Sequence, residues 1–144
     1  MKNAFVKTYE FVKTLNVRMD AATTDDERNA ICKEYQDATA WIDEQGNFAC
    51  TIWNNCQRTF DNGNSLIDLN DNISSKNIVP FIECLRKNGV TEFTFSSAWS
   101  SAVDTAWLLQ QNGCTLSGLV EINGDRIPFT KEHEKLHAYL FKLN

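Results

Sequence analysis

His133-Glu134-Lys135-Leu136-His137 carries the letters of the H-E-x-x-H zinc pattern. On a helix that spacing turns both imidazoles to one face and leaves the glutamate to act as general base on a zinc-bound water. The surroundings argue against that chemistry. Seven residues follow His137, and none is Asp, Glu, His or Cys, so the usual downstream third ligand is missing. Lys131, Glu132 and Lys135 flank the histidines, where a catalytic zinc helix would lie buried. The segment also falls between Pro128 and a predicted strand, and an extended chain holds the two rings apart. The expectation is no metal site and no cofactor, with His133 and His137 as the alternative ligand pair.

A second candidate is the cluster Ser96-Ser97-Ala98-Trp99-Ser100-Ser101, between a predicted strand and a predicted helix. Ligands of open α/β sheets bind beyond the C-terminal ends of strands, and free N–H groups at a helix start can hold a phosphate or carboxylate. No Gly-rich loop or lysine accompanies the cluster, so the phosphate-loop and dinucleotide fingerprints are absent. Serine in this place most often caps the helix, and Ser100 or Ser101 is expected to do so. Ser97, Ser100 and Ser101 are the candidate ligand or partner contacts. Trp99, on the loop beside them, is the best candidate among four tryptophans for an exposed contact; Trp41, Trp53 and Trp107 mostly fall at phases suited to a core. Two histidines clustered late in the chain specify no Ser-His-Asp arrangement. Nineteen acids offer no way to choose a glycosidase-type pair without geometry.

The elements that must position these residues can be read from pattern. A first helix is predicted from about Lys2 to Met19, with Phe5, Tyr9, Val12 and Met19 on one face. Thr24 is a good N-cap, and Glu27 three residues on completes a capping box. Ile31, Tyr35, Ala38, Ile42, Ala49, Trp53, Cys56 and Phe60 then share one helical phase, a stripe roughly 60° wide. That phase crosses Gly46, so residues 25–60 form either one long helix or two collinear ones. Asp61-Asn62-Gly63-Asn64 is a strong stop.

Beyond it the pattern changes. Ser65 to Leu69 reads as a short buried strand, and a helix from near Asn77, with Pro80 in its first turn, ends at Asn88-Gly89. Val90 to Ser96 is a strand, and the next helix ends at Asn112-Gly113, 24 residues after the previous Asn-Gly. Thr115 to Ile122 is a third strand, followed by an Asn123-Gly124 hairpin turn. A charged loop and a closing antiparallel strand over Ala138 to Leu143 complete the chain. The expected fold is α/β: an N-terminal helical hairpin packed on a small β-α-β-α-β sheet, with an antiparallel C-terminal edge. Right-handed crossovers imply a parallel three-strand core. Residues 1–144 read as a single domain, with a helical part (1–62) and an α/β part (65–144).

Composition narrows function further. The 144 residues include nine Phe, four Trp and three Tyr, enough to exclude a disordered chain. No signal peptide or membrane-spanning run is present, which predicts a cytoplasmic protein without a membrane partner. Five cysteines without a Cys-x-x-Cys pair read as small buried hydrophobes. The net charge of -5 is confined to the first half, where residues 20–44 hold eight acids against Arg28 and Lys33. An acidic surface disfavours direct generic nucleic-acid binding. Asp26, Asp37 and Glu44, on the polar side of the long helical segment, are candidate partner contacts; a solvated helix face is their simpler reading.

Ile82 to Gly89, Phe93 to Ala102 and Asn112 to Gly124 together resemble small uncharacterised accessory proteins of plasmids, phages and conjugative elements of gut Firmicutes. The resemblance covers about residues 65–144. It implies an accessory gene of a mobile element, a class of cargo that often includes inhibitors of host defence. The expected function is therefore a non-enzymatic protein-binding inhibitor, of anti-CRISPR or anti-restriction type, with a host defence nuclease as protein partner. The alternative is a small-ligand-binding protein or zinc-dependent hydrolase using the Ser96–Ser101 edge or the histidine pair.

Overall fold

The computed structural model describes residues 2–144. Asn3 caps the first helix, its Oδ1 accepting from the Val6 N–H at 2.9 Å. Helix α1 (Ala4–Ala21) buries Phe5, Tyr9, Val12 and Leu15. Helix α2 (Asp25–Gln45) starts at Thr24, whose Oγ1 accepts from the Glu27 N–H at 3.1 Å. The Glu27 carboxylate reaches back to the Thr23 N–H, one residue before the usual capping-box partner. At Gly46 the apolar stripe continues but the helix does not. Gly46 adopts φ 95°, which side-chain-bearing residues rarely take, and it separates α2 from α3 (Asn47–Asp61). The three helices pack on one another. Tyr9 also donates its hydroxyl to Asp61 at 2.6 Å, and burial together with that carboxylate pushes the phenol pKa up.

After a single 3-10 turn (Asn70–Asn72) comes α4 (Ile78–Lys87), which ends at Asn88 with Gly89 at φ 82°, as the Asn-Gly signal predicts. Asn88 does more than cap. Its Nδ2 donates to the Cys84 carbonyl at 2.8 Å and to Gln45 Oε1 at 2.8 Å, while its Oδ1 accepts from Gln45 Nε2 at 3.1 Å. Its carbonyl accepts from the Ala4 N–H at 3.0 Å. One buried asparagine, through its side chain and its carbonyl, thus joins the start of α1 and the ends of α2 and α4.

The sheet contains β1 (Glu92–Phe95), β2 (Cys114–Arg126) and β3 (His133–Leu143), and α5 (Ala102–Gln111) connects β1 to β2. The mixed α/β character stands, with helices towards the N-terminus and the sheet towards the C-terminus. The strand order corrects the expected parallel core. It is β1-β3-β2, and β3 is antiparallel to both neighbours. β1 and β2 do run in the same direction around α5, but the C-terminal strand lies between them instead of at an edge. Aromatic stacking accompanies that insertion: Phe141 lies on Phe93 at 5.6 Å between ring centroids, and Tyr139 on Phe95 at 6.2 Å. β3 also begins at His133, five residues before its predicted start. Asn123-Gly124 is not the hairpin turn. It lies within β2 beside a register shift, and the turn spans residues 127–132 with Phe129 at φ 64°. A Cβ on Gly124 would stand 3.1 Å from Leu136 Cδ1, a contact that Leu136 would have to relieve by a shift of a few tenths of an ångström.

The predicted first strand survives as one parallel bridge, Asp68 to Thr94, with the Thr94 N–H on the Ile67 carbonyl and the Leu69 N–H on the Thr94 carbonyl, each at 2.9 Å. Residues 62–69 form a strap from the outer edge of β2 to the outer edge of β1. At the β2 end, Asn64 imitates a strand. Its Oδ1 accepts from the Asn123 N–H at 2.9 Å and its Nδ2 donates to the Asn123 carbonyl at 2.8 Å. At the β1 end, buried Asp68 accepts from Thr94 Oγ1 at 2.7 Å and from Ser96 Oγ at 2.6 Å, and its N–H donates to Thr59 Oγ1 at 3.2 Å. Burial raises the Asp68 pKa above its ordinary 3.8, against the lowering effect of those hydroxyls and the Arg58 charge.

Two outcomes follow from these joints. Asn88→Ala leaves half-buried partners on α2 and α4 unpaired and is expected to cost about 1–2 kcal/mol, read as a lower urea midpoint at unchanged slope. The second concerns pH. A carboxyl whose folded pKa is raised binds its proton more tightly in the folded state. Its contribution to stability is complete below the unfolded value and declines as pH rises through the folded one. Asp68→Asn removes that titration. The melting temperature of the variant relative to the native chain is expected to climb as pH rises above 3.8 and then level off; parallel melting profiles would contradict it.

Candidate functional site

The C-terminal end of β1 and the end of the strap leave the sheet together. Ser96 turns towards Asp68, and Asn70 bends the strap away with φ 47°, a left-handed conformation that asparagine tolerates better than most residues. Between them opens a notch of about 380 Å³, lined by Asn70, Asp71, Ser96, Ser97, Ala98 and residues 135–137 of β3. A smaller polar recess of about 100 Å³ lies on the other side of Leu136 and Asn70, bounded by Arg58, Asn64, Asp68, Asn123 and Glu134. The second volume holds only a few water molecules.

Of the residues singled out by sequence, Ser97 and His137 share the notch. Ser97 Oγ accepts from the Trp99 N–H at 3.1 Å, which fixes the turn. The expected serine cap does not form. Ser101 occupies the N-cap position of α5 with helical φ and ψ and makes no side-chain capping bond, and Ser100 is exposed. Trp99 is 68% exposed, as expected of a contact residue. Trp107 departs from its core-compatible phase and is 59% exposed, because Ala102, Thr105 and Leu109 form the buried face of α5. Val103, 66% exposed, lies with Trp107 on the opposite face.

His133 and His137 lie on a strand, so their Cα atoms are separated by roughly 13 Å along it. A helical i,i+4 pair converges on one ion; this pair does not. His133 Nδ1 sits 2.9 Å from the Gly124 carbonyl. Among the described residues no three His, Cys, Asp or Glu groups gather as a metal would require, and neither histidine hydrogen-bonds a serine hydroxyl. Asp68 has hydroxyl partners on both oxygens and serves as a clamp in this arrangement. Cys56 and Cys114 are buried, and burial pushes their thiols up, that of Cys114 to about 11, so both remain protonated packing groups at neutral pH.

Asp26, Asp37 and Glu44 are exposed on α2, away from the notch lining. No ion pair reaches them among the described residues; the pairs near them are Arg18–Glu34 at 2.6 Å and Arg28–Asp25 at 3.1 Å. Sequence pattern does not single out Asp68, Asn70 or Arg58. For Asp68 a signal exists: an acid within the apolar run Leu66-Ile67-Asp68-Leu69 must find hydrogen-bond partners if that run is buried.

No helix among the described residues is long and apolar enough to cross a membrane. No curated protein and no solved structure matches the chain. Residues 51–143 match a family described as a domain of unknown function, DUF7698. The matched stretch contains the strap, the notch and both exposed tryptophans, and begins within α3, so α1, α2 and their acidic positions fall outside it. It spans more than half of the chain, and the protein belongs to the DUF7698 family.

Proposed function

We propose that this protein is a non-enzymatic binding module whose main contact is the outer face of α5 with the turn before it. One observation carries the reading. Trp99, in the turn before α5, and Trp107, on its outer face with Val103, stand mostly in solvent, although a tryptophan ring carries a large apolar area. Trp is also the residue most enriched among those that dominate binding energy at protein interfaces. Ser97, Ser100 and Ser101 would form a polar rim on one side of that face.

Charge narrows the partner. The stretch from Ser96 to Gly113 contains Asp104 and no Lys or Arg, and the whole chain carries -5. A partner that presents apolar pockets rimmed by basic side chains complements this surface. Nucleic-acid enzymes carry basic surfaces where they hold phosphates. A host defence nuclease, the partner implied by the mobile-element resemblance, fits that description. Asp26, Asp37 and Glu44 would add long-range attraction.

The test is inhibition and binding against a panel of purified Cas effectors and restriction nucleases. The native chain is expected to bind and inhibit at least one of them. The double variant Trp99→Ala/Trp107→Ala is expected to lose about 2 kcal/mol or more of that affinity, some thirtyfold, while its melting temperature stays close to native because both rings are exposed. Absence of any partner in the panel, or equal affinity of the double variant, would count against the proposal.

A further inference from the structure

Strand β3 is longer than its neighbour β1, and the surplus is uncovered on that side. The register shows which way its backbone points. Thr94 directs its N–H and carbonyl to the strap, so Phe93 and Phe95 direct theirs to β3, opposite Phe141 and Tyr139. The Leu143 N–H bonds the Thr91 carbonyl at 2.8 Å, on the same side. Alternation along a strand then places the N–H and carbonyl groups of His137 and Lys135 on that side as well, while those of Leu136 and Ala138 face β2. β1 stops at Phe95. Beyond it, the His137 and Lys135 backbone groups have no hydrogen-bond partner among the described residues.

These four groups face the notch of about 380 Å³, in line with β1. The two segments that could have covered them both leave at this level, β1 through Ser96–Ala98 and the strap through Asn70. Lys135, Leu136 and His137 line the notch along β3, so about three extended residues of a partner strand, at about 3.3 Å each, would lie beside them. The outer edge of β2 is different. The register shift around Ser117 and the pairing of Asn64 with Asn123 interrupt it on both sides, leaving a short open run at Leu119 and Glu121. On β3 the free groups stand in line with β1, between the Asn70 and Ser96–Ala98 walls of the notch.

We infer that the notch takes an extended peptide segment of a partner protein, added to β3 as a strand along residues 133–137. Backbone pairing supplies the attachment, and side chains on the two faces select the sequence. On one face lie Lys135 and His137, beside Glu121 and Asn123 of β2; on the other lies Leu136, 38% exposed next to Ile122. The segment that fits alternates polar and apolar side chains. The inference is independent of the tryptophan face, which it does not use.

The experiment selects peptides from a phage-displayed random dodecapeptide library on the full chain, then follows synthetic copies by amide hydrogen exchange. In the free protein the Lys135 and His137 amides are expected to exchange quickly and those of Leu136 and Ala138 slowly. Bound peptide is expected to slow the Lys135 and His137 amides at least tenfold. His137→Pro removes an outward N–H without touching the β2 ladder and is expected to weaken binding at least tenfold; Val17→Ala, exposed on α1, leaves it unchanged. Should the proline variant lose its native circular dichroism, Ala98→Trp fills the notch from an exposed loop and takes its place. Four results would overturn the inference: no peptide selected above background, a bound peptide that protects neither amide, affinity indifferent to the edge variant, or protection of both amides by self-association of the chain alone.

Discussion

One buried carboxylate ties the strap to the sheet, and the notch depends on where that strap lies. Among the described residues two backbone hydrogen bonds tie the strap to β1, and Ile67 and Leu69, on either side of Asp68, are buried in the core. Asp68 adds two short bonds, from Thr94 on the strand and from Ser96 immediately after it. An unpaired acid in that position would cost several kcal/mol, so strap and strand are mutually required: the hydroxyls make the acid tolerable, and the acid fixes the strap. The position of the strap in turn brings Asn64 onto β2 and sets where Asn70 leaves the sheet. The notch follows from those two placements.

Local features of this fold are legible in the sequence, and pairing is not. Thr24, Gly46, Asn88-Gly89 and Asn112-Gly113 mark element ends for reasons confined to a few residues, and each occurs at or beside an end in the structure. The choice between one helix and two at Gly46 stays open in the sequence because hydrophobic phase is insensitive to a break that preserves it. Strand order is another kind of property. Two strands joined by a helix can lie side by side or leave room for a third, and the letters of β1, α5 and β2 are compatible with both. The stacking of Phe141 on Phe93 and of Tyr139 on Phe95 decides between them, and it links residues far apart in the chain, beyond the reach of any local spacing.

The candidate site divides the same way. Trp99 can be identified because it falls in a loop, whereas α5 is apolar on several sides and its solvent-facing tryptophan reads as core. The H-E-x-x-H letters lose their meaning once the backbone is extended, since a motif is a set of distances before it is a set of residues. What replaces it cannot be seen one residue at a time: Ser97 and His137 share a notch only because β3 is inserted beside β1.

That insertion also constrains how the protein can be made. β3 follows both of its neighbours in the chain, so a ribosome delivers β1 and β2 before the strand that joins them exists. The helices α1 to α3, with their local contacts, can pack early, but β1 and β2 must wait with their pairing groups open. Contacts of such long sequence separation slow folding and leave strand edges exposed in the interval. The short β1, the serine-rich turn after it and the irregular β2 suit a nascent chain that has to stay unpaired until its central strand emerges.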